Sequence, residues 1–153
     1  HGTITGLLFL LVGLVYERAH TRSIAELGGL AVRMPFVTVA FLIGGLAALG
    51  LPGLSGFVAE ALVFLGTFPV YGWATAAAVV SIVLAAGYIL WTIQRVLFGP
   101  SHERYADLRD ATWYEKIPVA LLITSIVVVG LYPSLVTDAL NDGITGMLGS
   151  FLG

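Results

Sequence analysis

Residues 34–68 read MPFVTVAFLIGGLAALGLPGLSGFVAEALVFLGTF, a run that holds one charged side chain, Glu60. About 20 consecutive apolar residues are enough to cross a bilayer as a helix, and this stretch is longer. Gly50-Leu51-Pro52-Gly53 interrupts it. A proline removes a backbone donor and collides with the preceding turn, while glycine tolerates the conformations a helix end requires. The stretch therefore predicts a transmembrane helix that stops, turns and resumes. On the resumed helix Gly53, Gly56 and Glu60 recur at spacings of three and four, which places them on one face. Two glycines on that face leave room for a neighbouring helix or a water beside the carboxyl group.

Working outward, further apolar segments occupy 2–16, 73–94 and 117–137, the last entered through Pro118, a residue tolerated at a helix start. The 153-residue chain is 58% hydrophobic and 10% charged, with a mean hydropathy of +0.98. Ordinary soluble domains carry roughly 25% charged residues, so the solvent implied here is lipid. In lipid only helices and closed barrels satisfy their own backbone groups, and the ten-residue alternation of barrel strands is missing. The expected fold is all-α, a polytopic transmembrane protein with about four spans, one of them broken. After Tyr132-Pro133 the pattern changes: Val136, Leu140, Ile144, Met147 and Phe151 recur every three or four residues, with Asp138, Asn141 and Asp142 elsewhere. Residues 138–153 thus read as an amphipathic tail lying at the membrane surface. The first residue is His1, and it opens directly onto an apolar run, which reads as a cut inside a longer protein.

All seven basic residues fall in two loops. Arg18, Arg22 and Arg33 precede the broken segment, and Arg95, Arg104, Arg109 and Lys116 precede the last one. The connection near 67–72 has no charge, and the tail has only Asp138 and Asp142. The positive-inside rule puts the basic loops in the cytoplasm or its equivalent and the C-terminus outside. A net charge of −2 without a basic stripe gives no nucleic-acid surface. With no cysteine, the chain offers no disulfide, thiolate metal site or cysteine nucleophile. No phosphate-binding glycine loop and no histidine pair at metal-ligand spacing occurs. The mixed charges at Tyr16-Glu17-Arg18 and at 103–110 read most simply as solvated loop groups, as do His20 and His102.

Glu60 is the candidate for chemistry. An acidic residue at a helix centre costs roughly 2.5–3.5 kcal/mol on insertion scales, so its presence calls for a reason. One reason is structural, a carboxyl that fixes packing against a neighbour. The other is functional, a group that binds and releases a proton or ion next to a break able to admit water. Gly50, Pro52, Gly53 and Gly56 would form that hinge.

With those residues in place, a family resemblance emerges. Tyr16-Glu17-Arg18-Ala19-His20-Thr21-Arg22, Gly28-Gly29-Leu30, Met34-Pro35, Leu51-Pro52-Gly53, Gly56-Phe57-Val58 with Glu60, and Gln94-Arg95 with Phe98-Gly99 occur in this order. Together they resemble the M-type (chain 4) antiporter-like subunits of proton-pumping NADH:quinone oxidoreductase, respiratory complex I. The resemblance implies the last four helices of such a subunit, with Glu60 as the acidic group of the broken helix on the proton exit route. It also implies a possible relay role for His1 near the central hydrophilic axis. Glutamate at this position favours the M-type, since L- and N-type subunits tend to have lysine there. The family's other key acidic and lysine groups lie upstream, so this stretch taken alone should not pump. No cofactor is expected in this chain, the flavin and iron–sulfur centres belonging to partner subunits. The partners implied are other membrane-arm subunits, including the L- and N-types, and the lipid bilayer. The location implied is the bacterial inner membrane or an equivalent energy-transducing membrane. Two alternatives stay open: a subunit of a multi-subunit cation/proton antiporter or membrane-bound hydrogenase, and a purely structural packing element.

Overall fold

The computed structural model describes residues 1–152, apart from the side chains of Leu148, Ser150, Phe151 and Leu152. Among the described residues there are six α-helices and one short 3-10 turn and no strand. They are α1 (Gly2–Ala19), α2 (Leu30–Arg33), α3 (Pro35–Ala48), α4 (Ser55–Val96), α5 (Trp113–Leu131) and α6 (Ser134–Leu152), the 3-10 turn being Glu103–Tyr105. By length and composition α1, α4 and α5 are apolar enough to cross a membrane, and α3 is a shorter apolar helix. The all-helical class expected from composition is the one observed.

The packed core lies where α1, α3 and α5 meet. Leu7, Leu11 and Leu14 of α1, Val37 and Ala40 of α3, and Val119 and Ile126 of α5 are buried there. Much of α4 is instead apolar and exposed, with Leu65, Trp73, Val83 and Leu84 each more than 60% accessible. Such a surface is stable against lipid or other helices and not against water.

Helix α4 contains 42 residues, a length of about 63 Å if it were straight and twice what a bilayer core of about 30 Å requires. It is not straight. Tyr71 has non-helical angles (φ −124°, ψ 35°), two residues after Pro69. The proline cannot donate to the turn before it, and the chain bends back sharply enough for Thr75 Oγ1 to donate to Thr67 Oγ1 at 3.1 Å. In a straight helix these residues would stand about 12 Å apart along the axis. The apolar segments expected at 34–68 and 73–94 are thus distributed over α3 and the two arms of α4. The turn between them is one residue deep rather than a loop.

Pro118, expected at a helix entry, lies in the second turn of α5. The helix starts earlier because Thr112 and Glu115 form a capping box, each side chain serving the other's backbone. Beyond Pro133, α6 is helical through the tail, and Val136, Leu140, Ile144 and Met147 are exposed. Phe151, read as part of the same apolar stripe, has a side chain outside the described residues.

The two basic loops converge at one end of the bundle, and there the reading of their charges as solvated needs correction. Arg18 Nη2 donates to Glu115 Oε2 at 2.6 Å, joining α1 to α5. The same oxygen accepts from Thr112 N and Oγ1. Asp110 accepts from Phe36 N at 2.7 Å and Val37 N at 3.3 Å, so a residue from a distant loop caps α3. The reason is local: Met34, the capping position of α3, contributes no side-chain bond, and the first N–H groups of a helix need an acceptor. Arg22 stacks over Tyr16 and Arg95 over Trp91, at 4.4 and 4.7 Å from the ring centres, a favourable contact for a cation.

Two glycines fix the opposite end of α3. Gly56 approaches the Ala47 carbonyl so closely that a Cβ there would overlap it. Gly130 of α5 does the same against Gly53 O and the Leu54 backbone. Two expectations follow, both read as thermal stability of the full-length protein in detergent. Asp110→Ala should cost about 1–2 kcal/mol, the usual worth of a helix cap, with Asp110→Asn retaining part of it. Gly130→Ala should destabilise by about 1–3 kcal/mol through overpacking, whereas Gly66→Ala, where an added Cβ meets nothing within 4 Å, should be neutral or slightly stabilising.

Candidate functional site

Helix α3 is 14 residues long, about 21 Å, and ends before a bilayer core of about 30 Å could be crossed. Its last turn closes on itself. Gly50 N donates to Ala47 O at 3.2 Å and Leu51 N to Leu46 O at 3.1 Å, the pair of bonds that defines a Schellman ending. That ending needs a left-handed residue, supplied by Gly50 at φ +69°. Pro52 then prevents the helix from continuing, as proline commonly does one or two residues past such an end. Gly53, at φ +93°, reverses the chain into extended Leu54, from which α4 starts without a side-chain cap. The break therefore brings together a helix end whose Gly45, Leu46 and Ala47 carbonyls are already satisfied and a helix start that lacks a side-chain cap. Ser55 Oγ, at the first position of α4, is buried with no hydrogen-bond partner. It is a donor and acceptor available at the break.

Glu60 projects back into this gap from the second turn of α4. Its carboxylate lies against Gly50, where a Cβ on the glycine would overlap Oε2 and come within 3.0 Å of Cδ. The group is half-buried. Among the described residues, no hydrogen bond or ion pair holds it. The shared face of Gly56 and Glu60 is turned toward α3: Gly56 rests on Ala47, and Glu60, one turn later, rests on Gly50. Gly53 looks instead toward α5, its nearest neighbour being Leu131 Cδ2 at 3.9 Å.

His1 is exposed and precedes α1. Its carbonyl accepts from Thr5 N and Thr5 Oγ1, both at 2.9 Å. Ile4, on the first turn of the same helix, reaches the Gly56 position with Cδ1 at 3.5 Å. The start of α1 is thus at the depth of the break, although no hydrogen bond links the His1 imidazole to Glu60. Among the described residues, no group of three or more His, Cys, Asp or Glu side chains is placed to hold a metal ion. Two features of the site escaped the sequence pattern. The Gly130 contact pairs residues far apart in the chain and leaves no local signature, and the Ser55 hydroxyl is buried by chain geometry alone.

Comparison with known proteins gives this geometry its family. The family model described as "NADH:quinone oxidoreductase/Mrp antiporter, TM" matches residues 1–85, more than half of the chain. NADH-quinone oxidoreductase subunit M of Rhodobacter capsulatus is 42% identical over 152 residues, covering 99% of this chain and 30% of that protein. The "F(420)H(2) dehydrogenase subunit M" of Methanosarcina mazei is 43% identical over 138 residues, covering 90% of this chain and 28% of that protein. A chain of the structure "Respiratory complex I from Thermus thermophilus with bound NADH" superposes with a TM-score of 0.81 at 34% identity, covering 86% of this chain and 28% of that one. The chain spans about 30% of the length of the curated relatives it matches. It belongs to the NADH:quinone oxidoreductase/Mrp antiporter transmembrane family, as an integral membrane chain.

Proposed function

We propose that this chain forms the C-terminal part of a proton-translocating membrane-arm subunit that couples electron transfer from NADH to quinone with proton pumping. The observation that carries the reading is the Glu60 carboxyl, set in a helix break without a hydrogen-bond or ion-pair partner among the described residues. An ionisable group held in apolar surroundings is a functional candidate by default. Backbone irregularity at membrane depth is tolerated where it is enclosed by protein or lines water. In this reading Glu60 alternates between protonated and ionised states and passes protons toward the outside. Gly50, Pro52, Gly53 and Gly56 keep the gap open, and His1 is a relay toward the central axis. The basic loops face the inside of a bacterial inner membrane or its equivalent, and the C-terminus faces outside. Redox cofactors, a flavin and iron–sulfur centres, belong to other subunits, and the neighbours in the membrane are further antiporter-like subunits of L- and N-type.

One comparison favours a second reading. A relative at 43% identity carries the name of a dehydrogenase whose donor is not NADH, and the family model's own description includes Mrp antiporters. An ion-translocating subunit supplied by another donor, or by none, would use the same break and carboxyl. In a third reading Glu60 only fixes helix packing.

The test is proton uptake into membrane vesicles energised with NADH, comparing full-length wild type with Glu60→Gln at matched assembly. Glu60→Gln should lower the rate by more than about twofold, as expected for loss of an intramembrane proton carrier. An unchanged rate would reduce Glu60 to a packing group. An NADH-driven signal missing even from wild type would transfer the chain to the second reading.

A further inference from the structure

We propose that Gly50 is a positioning residue for Glu60: the space left by its missing side chain is the seat of the carboxyl group. The inference rests on the reading of Glu60 as the proton-bearing group, but it concerns where that group is held. Gly50 follows α3 and Glu60 belongs to α4, so the contact joins the two half-helices across the break. A Cβ on Gly50 would overlap Oε2, with Cδ at 3.0 Å and Oε1 at 3.5 Å. One carboxyl oxygen, Oε2, therefore points at the glycine, with Cδ and Oε1 behind it. No side chain donates to it and no cation pairs with it among the described residues. Steric fit, rather than a polar bond, keeps it in place.

The register of that fit is set one turn away. Gly56 sits against Ala47 O with no room for a Cβ, which pins α4 to α3. Three residues past Ala47 is Gly50, and four past Gly56 is Glu60, so the carboxyl falls over the second glycine by helical spacing. A group held by shape alone in this way can leave without breaking a hydrogen bond. Any side chain at residue 50 would evict it toward the open face of α4, where Phe57 is exposed. Gly50 is thus needed for more than its φ of +69°.

Labelling by dicyclohexylcarbodiimide tests this in membranes containing the full-length subunit. The reagent adds to a protonated carboxyl and leaves a stable N-acylurea, which peptide mass spectrometry reads at residue 60. Gly50→Ala should raise labelling at least about fivefold by displacing the carboxyl into the open. Combining it with Glu60→Asp, which withdraws the carboxyl by one methylene, should return labelling to within about twofold of wild type. Equal labelling in wild type and Gly50→Ala, absence from both included, overturns the proposal. So does a rise that Glu60→Asp fails to reverse, because backbone strain at residue 50 would then be its cause. Should Gly50→Ala not accumulate, recovery of accumulation by Glu60→Asp supports the seat and failure to recover overturns it. Normal pumping by Glu60→Gln alongside displaced labelling in Gly50→Ala would remove the proton-route reading and leave the seat standing.

Discussion

Ending a helix inside an apolar layer leaves carbonyls that no water can reach, and the closure at Gly50 is how this chain meets that constraint. Gly50 N–H and Leu51 N–H turn back onto Ala47 and Leu46, so part of the last turn of α3 is satisfied within itself. Everything else at the site follows from that stop. The chain must reverse within a few residues, which requires a second left-handed glycine at 53. It must then restart close by, which requires Gly56 and Gly130 to let backbones touch. Only with α4 drawn that near does a glutamate on its second turn reach back to the break.

The two ends of α3 are held by different means. At the basic end the fastening is polar: Asp110 caps the helix, and Arg18 and Glu115 tie α1 to α5 beside it. At the break the fastening is close packing between glycines and backbone. Charge-assisted hydrogen bonds have strict geometry, whereas the glycine contacts set register by shape. The bundle is therefore held by directional polar bonds at one end and by shape complementarity at the other, the end that holds Glu60.

Much of this was legible in the sequence, because lipid solvent makes composition decisive. Long uncharged runs forced helices, the glycine–proline cluster marked the break, and the spacing of Gly56 and Glu60 placed both on one face. What stayed hidden depended on contacts between distant residues. Asp110 gives no local sign that it will cap a helix starting 75 residues earlier in the chain. Arg18 looks like a solvated charge until the two loops meet and Glu115 accepts from it. The connection expected near 67–72 shrinks to a bend at Tyr71 within α4, and Pro118 looked like a helix entry, yet the capping box at Thr112 starts α5 ahead of it. The Schellman bonds and the Glu60–Gly50 contact were likewise a matter of three-dimensional register, which periodicity alone does not contain.

The bend at Tyr71 bears on how such a chain enters a membrane at all. Between Glu60 and Arg95 there is no charged side chain, so the tip of the α4 hairpin can traverse the hydrocarbon without carrying an ion across. A charge there would add roughly 2.5–3.5 kcal/mol at the midpoint of its passage. Near the tip Thr75 Oγ1 donates to Thr67 Oγ1, which donates to Val63 O, and this chain of bonds lowers the cost of taking the hydroxyls out of water. The stretch between Glu60 and Arg95 can thus enter the hydrocarbon as an uncharged hairpin, with its two charged groups near the ends of the arms.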